Sequence, residues 1–162
     1  MRKAVHRTIF LFIILLVLGV TSAEAIVAIP EFSLSSVVDG TPITSESYKD
    51  KVVLITFFAT WCKPCMKEIK VLKQLHKELG PRGFSVVALS IDEGGPGMVA
   101  KLVELREINY PVAMATRSTV QDFGNFSAVP TSFLVNRKGH VVRSYTGFLP
   151  HKRIAKVIED LL

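Results

Sequence analysis

The run Val52-Val53-Leu54-Ile55-Thr56-Phe57-Phe58, followed at once by Ala59-Thr60-Trp61-Cys62-Lys63-Pro64-Cys65, decides the reading of this chain. A continuous apolar segment of strand length, rich in β-branched and aromatic residues, is what a strand buried on both faces requires. Beyond it, Met66, Ile69, Leu72, Leu75 and Leu79 recur at spacings of three and four, the inner face of a helix. The only two cysteines in the sequence therefore stand where a buried strand gives way to a helix, with Cys62 at the helix N-terminus.

That position has a chemical consequence. The first helical turn has unpartnered N–H groups and the positive end of the macrodipole, and both favour a thiolate over a thiol. Cys62 is thus expected to be the nucleophile, ionising below the free-cysteine value of about 8.5. Cys65, one turn on and on the same face, is close enough for a disulfide and deeper in the helix, where it would resolve a mixed disulfide. Pro64 falls in the first turn, where loss of an N–H costs little. A structural disulfide or half of a zinc site are the alternatives. A zinc site needs about four ligands, and His6, His76, His140 and His151 neither cluster nor take ligand spacing around the pair.

Trp-Cys-x-Pro-Cys between strand and helix resembles the thioredoxin family, and more closely its extracytoplasmic branch of TlpA, ResA and DsbE type within the redoxin superfamily. The likeness runs from Phe32 to Gly147. It takes in Lys51-Val52-Val53-Leu54, Tyr110-Pro111-Val112, and Val129-Pro130-Thr131-Ser132-Phe133-Leu134-Val135. It implies an α/β thioredoxin-like fold, with a central mixed sheet flanked by helices and an N-terminal β-hairpin extension.

The resemblance also assigns roles. Pro130 is expected to be cis and to face the dithiol, so that the backbone N–H and C=O of Val129 hold a substrate segment as an added strand. Trp61 is either a flat apolar shoulder beside the sulfur or an ordinary core residue. Glu68 stands where ResA-like proteins carry a glutamate that handles the proton of the buried cysteine. Its spacing of three from Cys65 brings the groups together, and burial would raise a carboxyl toward a useful base. The alternative is a solvated glutamate paired with a lysine such as Lys67. Thioredoxin's own acid, six residues before the first cysteine, is Thr56 here and cannot ionise. Lys63 is either a cation that tunes the thiolate or a solvent-exposed residue.

At 162 residues and 49% hydrophobic, the chain suits one packed domain. Part of that hydrophobicity lies at the start: a basic Met1 to Arg7, an apolar Ile9 to Val20 and a small-residue Ala23-Glu24-Ala25 form a signal-peptide pattern. The apolar run is shorter than the roughly twenty residues of a spanning helix. Residues 1–25 are read as a cleaved signal peptide, cut after Ala25, or as an N-terminal membrane anchor, with the thioredoxin-like domain at 26–162. Either way the domain is expected outside the cytoplasm, in a periplasm or equivalent.

Without the first twenty-five residues, which contain Arg2, Lys3, Arg7 and Glu24, the net charge falls from +6 to +4. Lys67, Lys70, Lys73 and Lys77 read as the solvated side of the first helix, and no basic run is interleaved with aromatics, so nucleic acid is not an expected partner. The rest of the chain reads in order. Pro30 to Tyr48 is a short hairpin or two edge strands closed by an Asp39-Gly40 turn. Gly80-Pro81 ends the first helix. Phe84 to Ser90 is a buried strand parallel to the first. Met98 to Ile108 is a helix with Met98, Leu102 and Leu105 inward, Tyr110 to Ala115 a strand, and Arg117 to Phe123 a short helix or turn. Thr131 to Tyr145 is a hairpin turning at Gly139, and Ile154, Val157, Ile158, Leu161 and Leu162 form the stripe of a last helix.

The expectation for activity is an enzyme, a protein-disulfide reductase acting on extracytoplasmic proteins such as apocytochrome c. With no flavin or nicotinamide motif, no cofactor is expected. Electrons would come from a membrane thiol-disulfide transporter. A disulfide-forming oxidase with the same residues in reverse is the second enzyme reading, and a Cu(I)-binding dithiol module is the non-enzyme reading. The peroxiredoxin pattern P-x-x-x-T-x-x-C is absent, since Ile55 and Ala59 occupy its Pro and Thr positions.

Overall fold

The structure is a computed structural model that describes residues 27–162; the segment read as a signal peptide or anchor lies outside the described residues. Among the described residues no helix is long and apolar enough to cross a membrane. The elements run β1 (Ser33–Ser35), β2 (Pro42–Thr44), a 3-10 turn (Ser45–Tyr48), β3 (Val52–Phe58), α1 (Lys63–Leu79), a second 3-10 turn (Gly80–Arg82) and β4 (Phe84–Ser90). They continue with α2 (Pro96–Leu105), β5 (Val112–Met114), α3 (Arg117–Asp122), β6 (Thr131–Val135), β7 (Val141–Thr146) and α4 (His151–Glu159).

The main sheet has the order β5-β4-β3-β6-β7. β3 pairs in parallel with β4 and antiparallel with β6, so the strand that leads to the dithiol is the central one in a mixed sheet. Every residue of β3 and β4 is buried, as continuous apolar runs require when both faces are covered. Alternation along β3 sends Val52, Leu54 and Phe58 to a core shared with α1, α2 and α4, and Val53, Ile55 and Phe57 to a second core containing Phe32, Ile43 and Phe123. The result is a thioredoxin-like fold.

The hairpin of β1 and β2 is antiparallel, and its turn docks on the edge strand, with Val37 N–H donating to Val112 O at 2.9 Å. α1 ends at Leu79, but Gly80 keeps right-handed helical angles and the left-handed turn falls at Gly83, φ 92°. Gly139 takes φ 76° in the β6–β7 turn, which a side chain would strain. The strand expected over Tyr110 to Ala115 is shorter, Val112–Met114, although Tyr110 is buried.

One helix face differs from its expectation. α2 buries Val99 and Val103, while Met98 and Leu105 are 47% and 70% exposed and Leu102 is half-buried. The helix is rotated by about one residue, or 100°, from the phase that the larger side chains suggest.

Candidate active site

β3 ends at Phe58, and the chain turns through Ala59-Thr60-Trp61 into α1. Cys62 is the N-cap of that helix: its extended backbone precedes the first turn, and its Sγ accepts the N–H of Cys65 at 3.2 Å. A sulfur in this place meets a backbone donor and the positive end of the helix together. Cys62 and Cys65 are joined as a disulfide, with Cα atoms 5.2 Å apart, so the structure holds the oxidised form. Cys62 is only 4% exposed, barely more than Cys65, so the pair lies just under the surface. Trp61 stands out beside it at 68% exposure, which excludes the core reading of that residue.

Across from the pair is the start of β6. The Val129-Pro130 peptide bond is cis, Pro130 is buried, and the Val129 carbonyl oxygen lies 3.5 Å from Cys62 Sγ. Two bonds fix this segment: Gly147 N–H donates to Pro130 O at 2.8 Å, and the Thr131 hydroxyl donates to Ala128 O at 2.7 Å. Sequence positions 61, 62, 65, 129 and 130 are thus gathered in one place.

Glu68 is there as well, on the inner side of α1 and 1% exposed. The solvated reading does not hold, since Lys67 points to solvent and Glu68 inward. Glu68 lines a small cavity with Cys65, Thr56 and Tyr110; its volume, about 10 Å³, is at the lower limit for one water. Its Oε1 accepts the N–H of Leu149 at 2.8 Å. Burial pushes its carboxyl up to about 7; the Leu149 N–H and the Thr56 hydroxyl hold it from going higher. Tyr110 beside it is raised too, first by burial and then by the charge of Glu68. A carboxyl balanced near neutrality next to a dithiol can both take and return a proton at working pH. Lys63 is exposed.

A second carboxylate supports the loop that carries the dithiol. Asp92, buried after β4, accepts the Thr60 N–H at 2.9 Å, the Thr60 hydroxyl at 2.7 Å and the Ser90 hydroxyl at 2.7 Å. Sequence reading places Asp92 only in a loop. The one signal available was an acid two residues past the mostly apolar strand Phe84–Ser90, where an unpaired carboxylate would be costly. Among the described residues no group of three or more His, Cys, Asp or Glu gathers as a metal site.

Fold and site together define a thioredoxin-like dithiol–disulfide protein, and the family model for redoxins matches residues 25–161: the chain belongs to the redoxin family. Within it, the chain is 30% identical over 163 residues to the thiol-disulfide oxidoreductase ResA of Bacillus subtilis (strain 168), covering 94% of this chain and 90% of that protein. Among solved structures, a thiol:disulfide interchange protein of the thioredoxin family from Chlorobium tepidum TLS is 30% identical, with a TM-score of 0.80, covering 86% of this chain and 99% of that one. A second from Chlorobium tepidum, described as a putative DsbE, is 26% identical with a TM-score of 0.73, covering 86% and 96%. The Cys62–Cys65 pair is the redox-active pair of a thiol-disulfide oxidoreductase.

Proposed function

We propose that the protein is an exported reductase of protein disulfides, with apocytochrome c before haem attachment as the substrate that the ResA resemblance points to. The thiolate of Cys62 attacks a substrate disulfide, forming a mixed disulfide and releasing one substrate thiol. Cys65 then passes its proton to the Glu68 carboxylate and attacks Cys62 Sγ. The second substrate thiol leaves, and the Cys62–Cys65 disulfide forms. Trp61 and the Val129-Pro130 backbone flank the sulfur and receive the substrate chain. Two electrons from a membrane thiol-disulfide transporter reset the pair. Export rests on the signal-like residues 1–25, cleaved or kept as an anchor ahead of the domain at 26–162.

The observation that carries this reading is the buried Glu68 carboxyl in the same cavity as Cys65, a proton acceptor placed for the cysteine that must ionise second. The direction of electron flow rests on the resemblance and on Pro64, which thioredoxin also has between its cysteines. Redox equilibration with dithiothreitol or glutathione, read by the fluorescence of the single tryptophan Trp61, tests it. The expected potential lies nearer about −270 mV than about −120 mV, and a value above about −180 mV would assign the protein to disulfide formation instead. Trapping with Cys65→Ser identifies the substrate.

A further inference from the structure

Thr56 is the only polar residue in β3 and is buried at the sheet centre, where valine would fill the same space. In the antiparallel register it lies opposite Ser132 of β6, and the Ser132 hydroxyl donates to Thr56 Oγ1 at 2.9 Å. That leaves the single Thr56 hydroxyl proton free to donate, and Thr56 lines the same small cavity as the Glu68 carboxyl, which that hydroxyl holds below the value burial alone would give. Glu68 therefore has a fixed donor in the Leu149 N–H at 2.8 Å and a hydroxyl beside it in its cavity. The Leu149 N–H is fixed and can only donate, so it always favours the anion. The Thr56 oxygen has two lone pairs and a rotatable proton, so it can donate to the carboxylate or accept from the carboxylic acid while keeping its bond from Ser132.

We propose that Thr56, held by Ser132, is the positioning residue of Glu68, the strand hydroxyl that orients this carboxyl in both protonation states and sets the pH at which Cys65 can lose its proton. This rests on the role given to Glu68 above. Where thioredoxin places an acid on the strand, this chain places the acid on the helix and the hydroxyl that serves it on the strand.

The other ionisable groups around Glu68 are few. Tyr110, from the segment before β5, and Cys65, on α1, line its cavity. Tyr145 of β7 lies opposite Ser132, with its hydroxyl buried and without a hydrogen-bond partner among the described residues. His151, two residues beyond Leu149, is turned away to Glu78, with its Nε2 3.1 Å from Glu78 Oε2. Among the described residues no charged side chain moves the Glu68 carboxyl; what acts on it is burial, the Leu149 N–H and the neighbouring Thr56 hydroxyl.

The test is a carboxyl ¹³C NMR titration of the oxidised protein, with the Glu68 resonance assigned by its loss in Glu68→Gln. Thr56→Val should raise the midpoint by about one pH unit, the size expected when one donor to a buried anion is lost. Thr56→Ser should leave it in place, and Ser132→Ala should move it upward by less. The pH profile for resolution of a mixed disulfide with a model peptide should shift with it. A folded Thr56→Val protein with an unmoved midpoint would overturn the proposal. If that variant does not fold, an unmoved midpoint in Ser132→Ala would do so. Resolution that keeps its inflection in Glu68→Gln would instead remove the catalytic role of Glu68, while the midpoint shifts would still decide who positions it.

Discussion

The two faces of the central sheet are built from the same strands and do opposite things. On one face Phe57 meets Phe126 at 4.5 Å and Phe123 at 5.2 Å between ring centroids, and Phe133 stands nearly perpendicular to it at 6.1 Å. This cluster is built from hydrophobic side chains. The face under α1, α2 and α4 has an apolar frame of Leu54, Leu75, Leu134, Ile154 and Ile158, but Thr56, Glu68 and Ser132 are buried within it beside Cys65. Alternation along β3 alone separates them: residue 57 serves one face and residue 56 the other. The aromatic face contributes stability through area and shape. The other bears a carboxyl that burial disfavours as an anion, a cost tolerated where a proton must be handled.

Truncating the aromatic face should have the largest effect. Phe57→Ala removes the ring at the centre of three aromatic contacts, and should cost about 3–5 kcal/mol in denaturant unfolding of the oxidised protein. A loss below about 1 kcal/mol would mean that the cluster does not hold the fold. Removing the charge from the other face should do the reverse. The carboxyl of Glu68 is raised from 4.5 to about 7, so the native state binds its proton more tightly than the unfolded chain. Stability from this group is fully present below pH 4.5, falls as pH rises toward 7, and is lost above it. At about 1.4 kcal/mol per unit, wild-type stability should fall by about 3 kcal/mol relative to Glu68→Gln between pH 4 and pH 8. Parallel stability profiles for the two proteins would show that the buried carboxyl costs nothing.

How much of this was legible follows from the range of the interactions. β3, β4 and the N-cap position of Cys62 arise from near neighbours, and strand length, apolar continuity and helical spacing report them, whereas the spacing of Glu68 from Cys65 leaves an inward and a solvated placement both open. The resemblance supplied the pairing of Cys62 with Val129-Pro130, sixty-seven residues apart. The Leu149 N–H that anchors Glu68 is eighty-one residues away, and the Thr60–Asp92 bonds span thirty-two. A backbone donor can come from any residue, so no side-chain pattern announces it. In the sequence Thr56 stands only as a missing acid, because its partner on β6 appears once the register is known.

The phase of α2 had a local signal that side-chain size obscured. At about 100° per residue, Met98, Leu102 and Leu105 make one plausible apolar stripe, and Val99 and Val103 lie next to it. Lys101 and Glu104 are the charged residues of the helix, and the direction opposite their mean falls nearest Val99, with Leu102 and Val103 flanking it. The structure follows the charges: Val99 and Val103 join the site-bearing core, and Met98 Sδ instead lies 3.9 Å from the Thr60 hydroxyl. Two truncations measure which signal governs. Val99→Ala deletes two buried methyl groups and should cost about 2 kcal/mol, at about 0.8 kcal/mol each plus a small cavity. Leu105→Ala removes a larger but exposed side chain and should stay within about 0.5 kcal/mol of wild type. A costly Leu105→Ala beside a neutral Val99→Ala would restore the stripe of larger residues and detach this helix from the face that carries the dithiol.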